Sequence, residues 1–417
     1  LSQLYFSFAK QRTKENMKKT LTLQDLQLIT LESQGLAQTP IFGTGKNAVL
    51  NALEHLGYVQ IDTLSVVERA HHHTLWSRID DYKTNYLDDL LKERKIFEYW
   101  FHAASYLPMK DYRYALPQML SFKNNQSQYY NADPKVMQYV IDTIRTEGPK
   151  KAKDFENEKK TAGSWWNWKP AKLALERLFM QGDLMISGRD GMQKIYDISE
   201  RVLPETIDLT MPTPTELAEY LVKTHLRAYG LTTLKQITHL RSDSILRKNV
   251  EQVLQSMVED KIIQKTETTG ISPMYIRKDL IEKETDSSSS EIKLLSPFDN
   301  SLIHRDRFKQ LFNFDFRLEC YLPKEKRQYG YFCLPILYGN TFIGRVDCKA
   351  HRSIKKLELI NMHIENTNID IESWIGVFAE AIERFASFNG CNSITLTKVS
   401  PSKYTKLLKQ ALSGYKI

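Results

Sequence analysis

Tyr58-Val59-Gln60-Ile61-Asp62-Thr63 reads as a strand, and the rest of the chain is read outward from it. Side chains alternate faces along a strand, so Val59 and Ile61 point into a core while Gln60 and Asp62 share the other face. Two residues of rise put the polar pair roughly 6–7 Å apart. At that spacing an amide can orient a water molecule while a carboxylate accepts its proton or faces developing positive charge. The same pattern also describes the polar outer face of an ordinary half-buried strand. Upstream, apolar residues at Leu23, Leu26, Leu28, Ile29 and Leu31 predict a helix over Leu21–Gln34, stopped at Gly35. A second helix is predicted over Lys46–Leu56, ended by Gly57. Helix, helix, strand over this length fits a small winged-helix unit, an order that many folds share.

That order recurs. Asp133-Pro134 opens a helix to about Arg145, with proline in the early position it tolerates. A helix over Ala171–Gln181 and strands Leu184–Ser187 and Gln193–Ile198 follow, joined by Gly188-Arg189-Asp190-Gly191 as a tight turn. A third set comprises helices Thr213–Tyr229, Leu234–Leu240 and Asn249–Asp260, then strands Ile262–Thr266 and Met274–Arg277. Three similar units suggest tandem winged helices. Within the first, Tyr86–Arg94 reads as a short helix. Ile96–His102 reads as an aromatic-rich strand, and its Glu98, Trp100 and His102 either pack in a core or line a site. Beyond a serine-rich linker over 282–291, the block 292–417 shows strand-like runs at Phe314–Tyr321, Tyr331–Leu337 and Thr341–His351. Arg345, Asp347 and Lys349 fall on one face of the last of these. A helix Ile371–Phe388 and a strand Ser393–Val399 close the chain. The fold class is α+β, divided as an extension over 1–20, units over 21–130, 131–204 and 205–281, the linker, and the C-terminal block. Met17-Lys18-Lys19-Thr20 looks like a natural translation start.

Composition narrows the partners. The 417 residues carry a formal net charge of +8, which favours a polyanion such as nucleic acid or an anionic surface. No run reaches the length of a membrane span, and Leu1–Lys10 lacks a signal-peptide pattern. Cys320, Cys333, Cys348 and Cys391 form no Cys-x-x-Cys pair, as expected of reduced thiols in a cytoplasmic protein. Phe42-Gly43-Thr44-Gly45-Lys46 has the wrong spacing for a phosphate loop. His71-His72-His73 are consecutive and do not converge on one ion, so no metal is assigned, and no cofactor is implied.

Taken together, Gln60-Ile61-Asp62-Thr63, the run from Arg69 through Leu75-Trp76-Ser77-Arg78, and Glu98-Tyr99-Trp100-Phe101-His102-Ala103-Ala104-Ser105 resemble the YcaQ/AlkZ winged-helix DNA glycosylases. So do Leu295-Ser296-Pro297-Phe298-Asp299, Arg305-Asp306-Arg307, and Gly330-Tyr331 through Leu334-Pro335 to Gly344-Arg345-Val346-Asp347. The resemblance runs from about Leu21 to the C-terminus, and the combination is specific where no single motif is. It implies tandem winged helices around a concave DNA-binding channel. It also implies a monofunctional glycosylase that removes N7-alkylated guanine and unhooks interstrand crosslinks. Gln60 and Asp62 match the Gln-hydrophobe-Asp branch, with Asp62 as base or stabilising charge and Gln60 orienting water. Arg69, His71, His72, Arg78, Trp100, His102, Arg345 and Lys349 are the DNA-contacting candidates. Duplex DNA carrying alkylated or crosslinked guanine is the expected partner, the expected state a monomer, and the expected location the cytoplasm, on the nucleoid. A winged-helix regulator without catalysis would explain the charge and the repeats but not the Gln–Asp pair. A protein-interaction scaffold is the third reading.

Overall fold

The computed structural model describes residues 21–37, 41–124, 130–155, 168–282, 290–366 and 368–413. The N-terminal extension and nearly all of the serine-rich linker lie outside them. One element order appears three times. In the first unit, helix Gly45–Leu56 leads to β1 (Val59–Gln60), helices Ala70–Trp76 and Asn85–Lys92, and the hairpin β2 (Ile96–Trp100) and β3 (Ala104–Pro108). In the second, helix Pro134–Glu147 leads to β4 (Lys150–Lys151), a 3-10 turn Ala152–Phe155, helix Trp168–Met180, and β5 (Leu184–Asp190) with β6 (Gln193–Ile198). In the third, helix Pro214–Tyr229 leads to β7 (Leu231–Thr232), helices Leu234–Ile237 and Ser244–Glu259, and β8 (Ile263–Lys265) with β9 (Tyr275–Arg277). Each makes a three-stranded antiparallel sheet in which the last strand lies between the other two.

Local sequence explains the boundaries. Thr213 and Glu216 form a reciprocal capping box with Pro214 in the first turn, and Asp133 caps the helix that starts at Pro134. Gly57 ends its helix at φ 82°, and a Cβ there would run into the Thr224 methyl of helix Pro214–Tyr229. Only glycine therefore lets the chain turn into β1 while the first and third units touch. The expected turn at Gly188–Gly191 is shorter than its sequence suggests. β5 continues to Asp190 across a bulge between Ile186 and Gly188, and that places Arg189 to hold the buried Glu98 carboxylate. Helix Leu23–Ser33, grouped with the first unit from sequence, sends Leu26 and Ile29 into a core with Leu231, Met274 and Ile276 of the third.

The C-terminal block is a five-stranded sheet in the order β10 (Ile292–Leu294), β11 (Cys333–Tyr338), β12 (Thr341–His351), β13 (Lys356–Ile364), β14 (Ser393–Ser400). β14 pairs parallel to β13 after a crossover through helix Ile375–Phe388, whose Phe378, Ile382 and Phe385 cover the sheet. β13 went unassigned from sequence, although Leu357 and Leu359 alternate with Lys356 and Glu358. Phe314–Tyr321 is not a strand. Glu319 takes the backbone N–H groups of Gln328 (2.9 Å), Tyr329 (2.8 Å) and Gly330 (2.9 Å), and the end of this stretch, Glu319–Tyr321, folds as a 3-10 turn instead of pairing in the sheet.

Arg78 joins these parts. It is fully buried, and its guanidinium forms a two-pronged ion pair with the equally buried Asp299 at 2.7 and 2.8 Å. It also donates to the Gln34 and Thr74 carbonyls, both at 2.7 Å. Sequence reading placed Arg78 on DNA; burial and four protein partners withdraw it from that role. Burial alone would push the Asp299 carboxyl up, but Arg78 and two hydrogen bonds from Ser301 hold it below the ordinary carboxylate value. Stability from this group is present above about pH 4, the unfolded value, and is lost as the pH falls through the folded one. Arg78→Ala leaves a buried, uncompensated carboxylate and is expected to cost about 3–5 kcal/mol, measured by urea unfolding at pH 7. A wild-type urea midpoint that stays flat between pH 5 and 3 would contradict the Asp299 contribution.

Candidate active site

Gln60 ends β1, paired with Ser105 of β3, and the Ile61 N–H extends the ladder by donating to the Ala104 carbonyl at 2.8 Å. Ile61 is buried while Gln60 and Asp62 on either side of it are half-buried, so the two polar groups flank one apolar anchor. The β2–β3 turn brings His102 to Gln60, with Nε2 3.2 Å from Oε1. Burial, followed by the neighbouring His239 and Arg241, lowers the His102 pKa to about 4, so the ring is neutral at physiological pH. A neutral ring with its proton on Nε2 donates to the amide oxygen and leaves the Gln60 N–H₂ as a donor.

Asp62 lies just past the strand end. Its Oδ1 accepts the Leu64 N–H at 2.7 Å, and the Tyr321 hydroxyl stands 3.5 Å from Oδ2. Burial raises the Asp62 pKa, and those two hydrogen bonds offset part of the rise. Among the described residues no Lys, Arg or His pairs with Asp62. It is a carboxylate with a raised pKa and an uncommitted charge, the condition that suits a base. Tyr321 reaches it from the turn that Glu319 pins, and its ring is 65% exposed. Burial, then the Asp62 charge, pushes its phenol up to about 12. Sequence reading missed Tyr321 because 259 residues separate it from Asp62 and no local pattern marks it. His239 was missed likewise; its ring centroid lies 6.3 Å from that of His102.

The remaining candidates divide by burial. Trp100 is 41% exposed at the end of β2, Lys349 is exposed on β12, and Arg69 is half-buried at the start of helix Ala70–Trp76. His71 is buried against Tyr106, and burial, followed by the neighbouring His72 and the guanidinium groups of Arg189 and Arg69, holds it well below the ordinary histidine value. It is an uncharged interior group and no phosphate ligand. His72 is half-buried with Nδ1 2.7 Å from the Tyr82 hydroxyl, and burial lowers its pKa to about 3. It therefore brings no positive charge to a phosphate. Arg345 is buried too. Its guanidinium is paired with Glu365 at 2.6 and 2.9 Å, bonded to the Asp315 carbonyl, and stacked 3.9 Å from the Tyr329 ring centroid. The bulge at Asp347/Cys348 puts its extra residue, Ile360, on β13, so β12 keeps its alternation: Val346, Cys348 and Ala350 enter the sheet's core, and Arg345, Asp347 and Lys349 share the other face. That face is covered over Arg345 and Asp347 and open at Lys349. Glu98 likewise belongs to the core, held by Arg189. Among the described residues no cluster of His, Cys, Asp or Glu could hold a metal ion, and no helix is long and apolar enough to cross a membrane.

Comparison with known proteins places this geometry. The model of the AlkZ-like DNA glycosylase family matches residues 53–388. That span contains Gln60, Asp62, His102 and Tyr321. The chain belongs to the AlkZ-like DNA glycosylase family. Its fold is also similar to that of the Streptomyces sahachiroi DNA glycosylase AlkZ, with a TM-score of 0.60 at 14% identity, covering 91% of this chain and 100% of that one.

Arg345→Ala removes a buried charge partner and is expected to cost about 3–5 kcal/mol of stability. Lys349→Ala, on the surface, should change stability by no more than about 0.5 kcal/mol. Denaturant unfolding of both variants checks the division between interior and exposed cations.

Proposed function

We propose that this glycosylase hydrolyses the N-glycosidic bond of N7-alkylated guanine and unhooks interstrand crosslinks built on that lesion. The observation that carries the reading is Asp62. It is an unpaired carboxylate with a raised pKa, and the Gln60 amide beside it is oriented by a neutral histidine. N7 alkylation makes the base cationic, so it departs without a general acid. What remains is to deliver water and to stabilise an oxocarbenium-like sugar. Asp62 accepts the water proton and supplies negative charge, while the Gln60 N–H₂ group aims the water. One carboxylate suffices, in contrast to the paired carboxylates that cleave neutral glycosides. Among the described residues no lysine is paired with Asp62, which favours a monofunctional enzyme over one that forms a Schiff base. The thrice-repeated element order supports three tandem winged helices, with duplex DNA lying in a concave channel that exposes Trp100, Arg69 and Lys349. We infer a cytoplasmic monomer that acts at the nucleoid without a cofactor.

The test is release of 7-methylguanine from methylated duplex DNA. Asp62→Asn is expected to lower the single-turnover rate by about 10²–10⁴-fold with DNA binding retained. Equal rates would remove Asp62 from the mechanism, and DNA binding without base release by either protein would leave a non-catalytic DNA binder. The pH profile supplies a second check. Activity should fall as the pH drops through the Asp62 pKa. Tyr321→Phe deletes a hydrogen bond that favours the carboxylate, so it should move that acid limb to higher pH. An unmoved limb would leave Tyr321 without a role at Asp62.

A further inference from the structure

Next to the candidate active site, a cavity of about 650 Å³ opens where helix Arg305–Phe312 of the C-terminal block meets the third unit. It lies at the N-terminus of that helix. The first backbone N–H groups there have no intrahelical acceptor, and His304 at the cap position supplies no side-chain bond to them. The wall is built from His239, His304, Arg305 and Arg307, together with Lys235 and Asp306. Lys235 and Asp306 neutralise each other at 2.8 Å. Arg305 and Arg307 remain without a carboxylate partner among the described residues.

Two of these side chains are more than nine-tenths buried and short of partners. His304 is 8% exposed and hydrogen-bonds to nothing among the described residues; its ring touches only those of Tyr229, His225 and His239. Arg307 is 2% exposed. Its Nη1 donates to the Leu231 carbonyl at 3.1 Å and its guanidinium lies 4.3 Å from the Tyr229 ring centroid, but Nε and Nη2 have no acceptor. A buried guanidinium with two idle donors is costly unless something completes it. Burial and the Arg307 charge, with further repulsion from His225, His239 and His102, drive His304 well below the ordinary histidine value. An anion in the cavity would relieve that repulsion, meet the free N–H groups and answer the helix dipole.

We propose that this cavity is an oxyanion site that takes a phosphate group, held by Arg305, His304 and the N-terminus of helix Arg305–Phe312, with Arg307 behind them. The His239 ring bridges it to His102 and hence to Gln60, so a phosphate of the nucleic-acid backbone beside the target nucleotide is one source. Free inorganic phosphate is the other. The first source rests on the glycosylase reading above; the site itself does not.

The probe is inorganic phosphate, titrated into the full-length protein with chloride adjusted to constant ionic strength. Saturable binding followed by calorimetry, with a matching rise in Tm, is the expected result, and Arg305→Gln with His304→Asn should abolish it. Arg305 is exposed, so Arg305→Gln alone keeps the test interpretable if the double variant fails to fold. The second arm measures binding to undamaged duplex DNA against salt concentration. A slope reduced by about one in Arg305→Gln assigns the site to a backbone phosphate. Phosphate binding with an unchanged slope assigns it to free phosphate. Neither effect in the folded single variant overturns the proposal. Release of 7-methylguanine by the same preparation reports separately on the glycosylase reading, so the two can fail independently.

Discussion

The Arg78–Asp299 pair is the constraint on which the arrangement of parts depends. Both side chains are wholly removed from water, and two parallel hydrogen bonds join them. Such a pair stabilises only when its remaining donors and acceptors are met. Gln34, Thr74, Ser77 and Ser301 meet them, from helix Leu23–Ser33's C-cap, the turn that carries Arg78 itself, and the loop that carries Asp299. The next residue, Asn300, donates to the Tyr58 carbonyl at 2.9 Å, directly before β1. The ion pair and its neighbour thus lock the C-terminal block against the strand that carries Gln60. The candidate site is remote from the charge pair, but the strand that carries Gln60 is anchored beside it.

The candidate site is composite for the same reason. Gln60, Asp62 and His102 come from the first unit, Tyr321 from the C-terminal block, and His239 from the third unit. Each is brought in on a turn or at a strand end, where backbone is free to present a side chain. The turns are then made rigid from behind. Glu319 gathers three backbone N–H groups under Tyr321, and Asp347 takes those of Tyr331 and Phe332 at 3.0 and 2.8 Å. Two buried carboxylates are thus spent on main chain, whereas Asp62 has no cationic partner among the described residues.

Much of the architecture was legible in the sequence because it is local. Helix ends follow from caps and glycines, as at Thr213, Asp133 and Gly57, and the recurrence of helices and hairpins follows from periodicity. The burial of Ile61 between two half-buried polar residues was legible, since alternation about Ile61 is a property of three residues, but the strand ends at Gln60, before Asp62. What was lost is long-range. Arg78 and Arg345 look like DNA ligands in a linear reading, because a basic residue in a basic chain gives no hint of a carboxylate 221 residues away, as Asp299 is from Arg78. The contacts that cover Arg345 and the loop that carries Tyr321 are set by tertiary hydrogen bonds with no periodic trace. β13 was the avoidable omission, since its alternation is plain.

The first two units share one continuous apolar core, from Phe42 to Val202, whereas the third keeps a separate one built on Ala218, Leu221, Val250 and Leu254. The β2–β3 turn crosses between them. Phe101 packs on the third unit's core, stacks on Tyr58 at 4.4 Å and lies under Arg241 at 5.3 Å. The two cores can therefore open with different free energies, and the smaller defines a cooperative unit of its own. His102 sits on the seam. Its ring touches Gln60 on one side and His239 of the third unit on the other, so loosening of the third unit removes a support of the ring and none of β1's own ladder. The contact between His102 and Gln60 is thereby tied to a unit that contributes neither Gln60 nor Asp62.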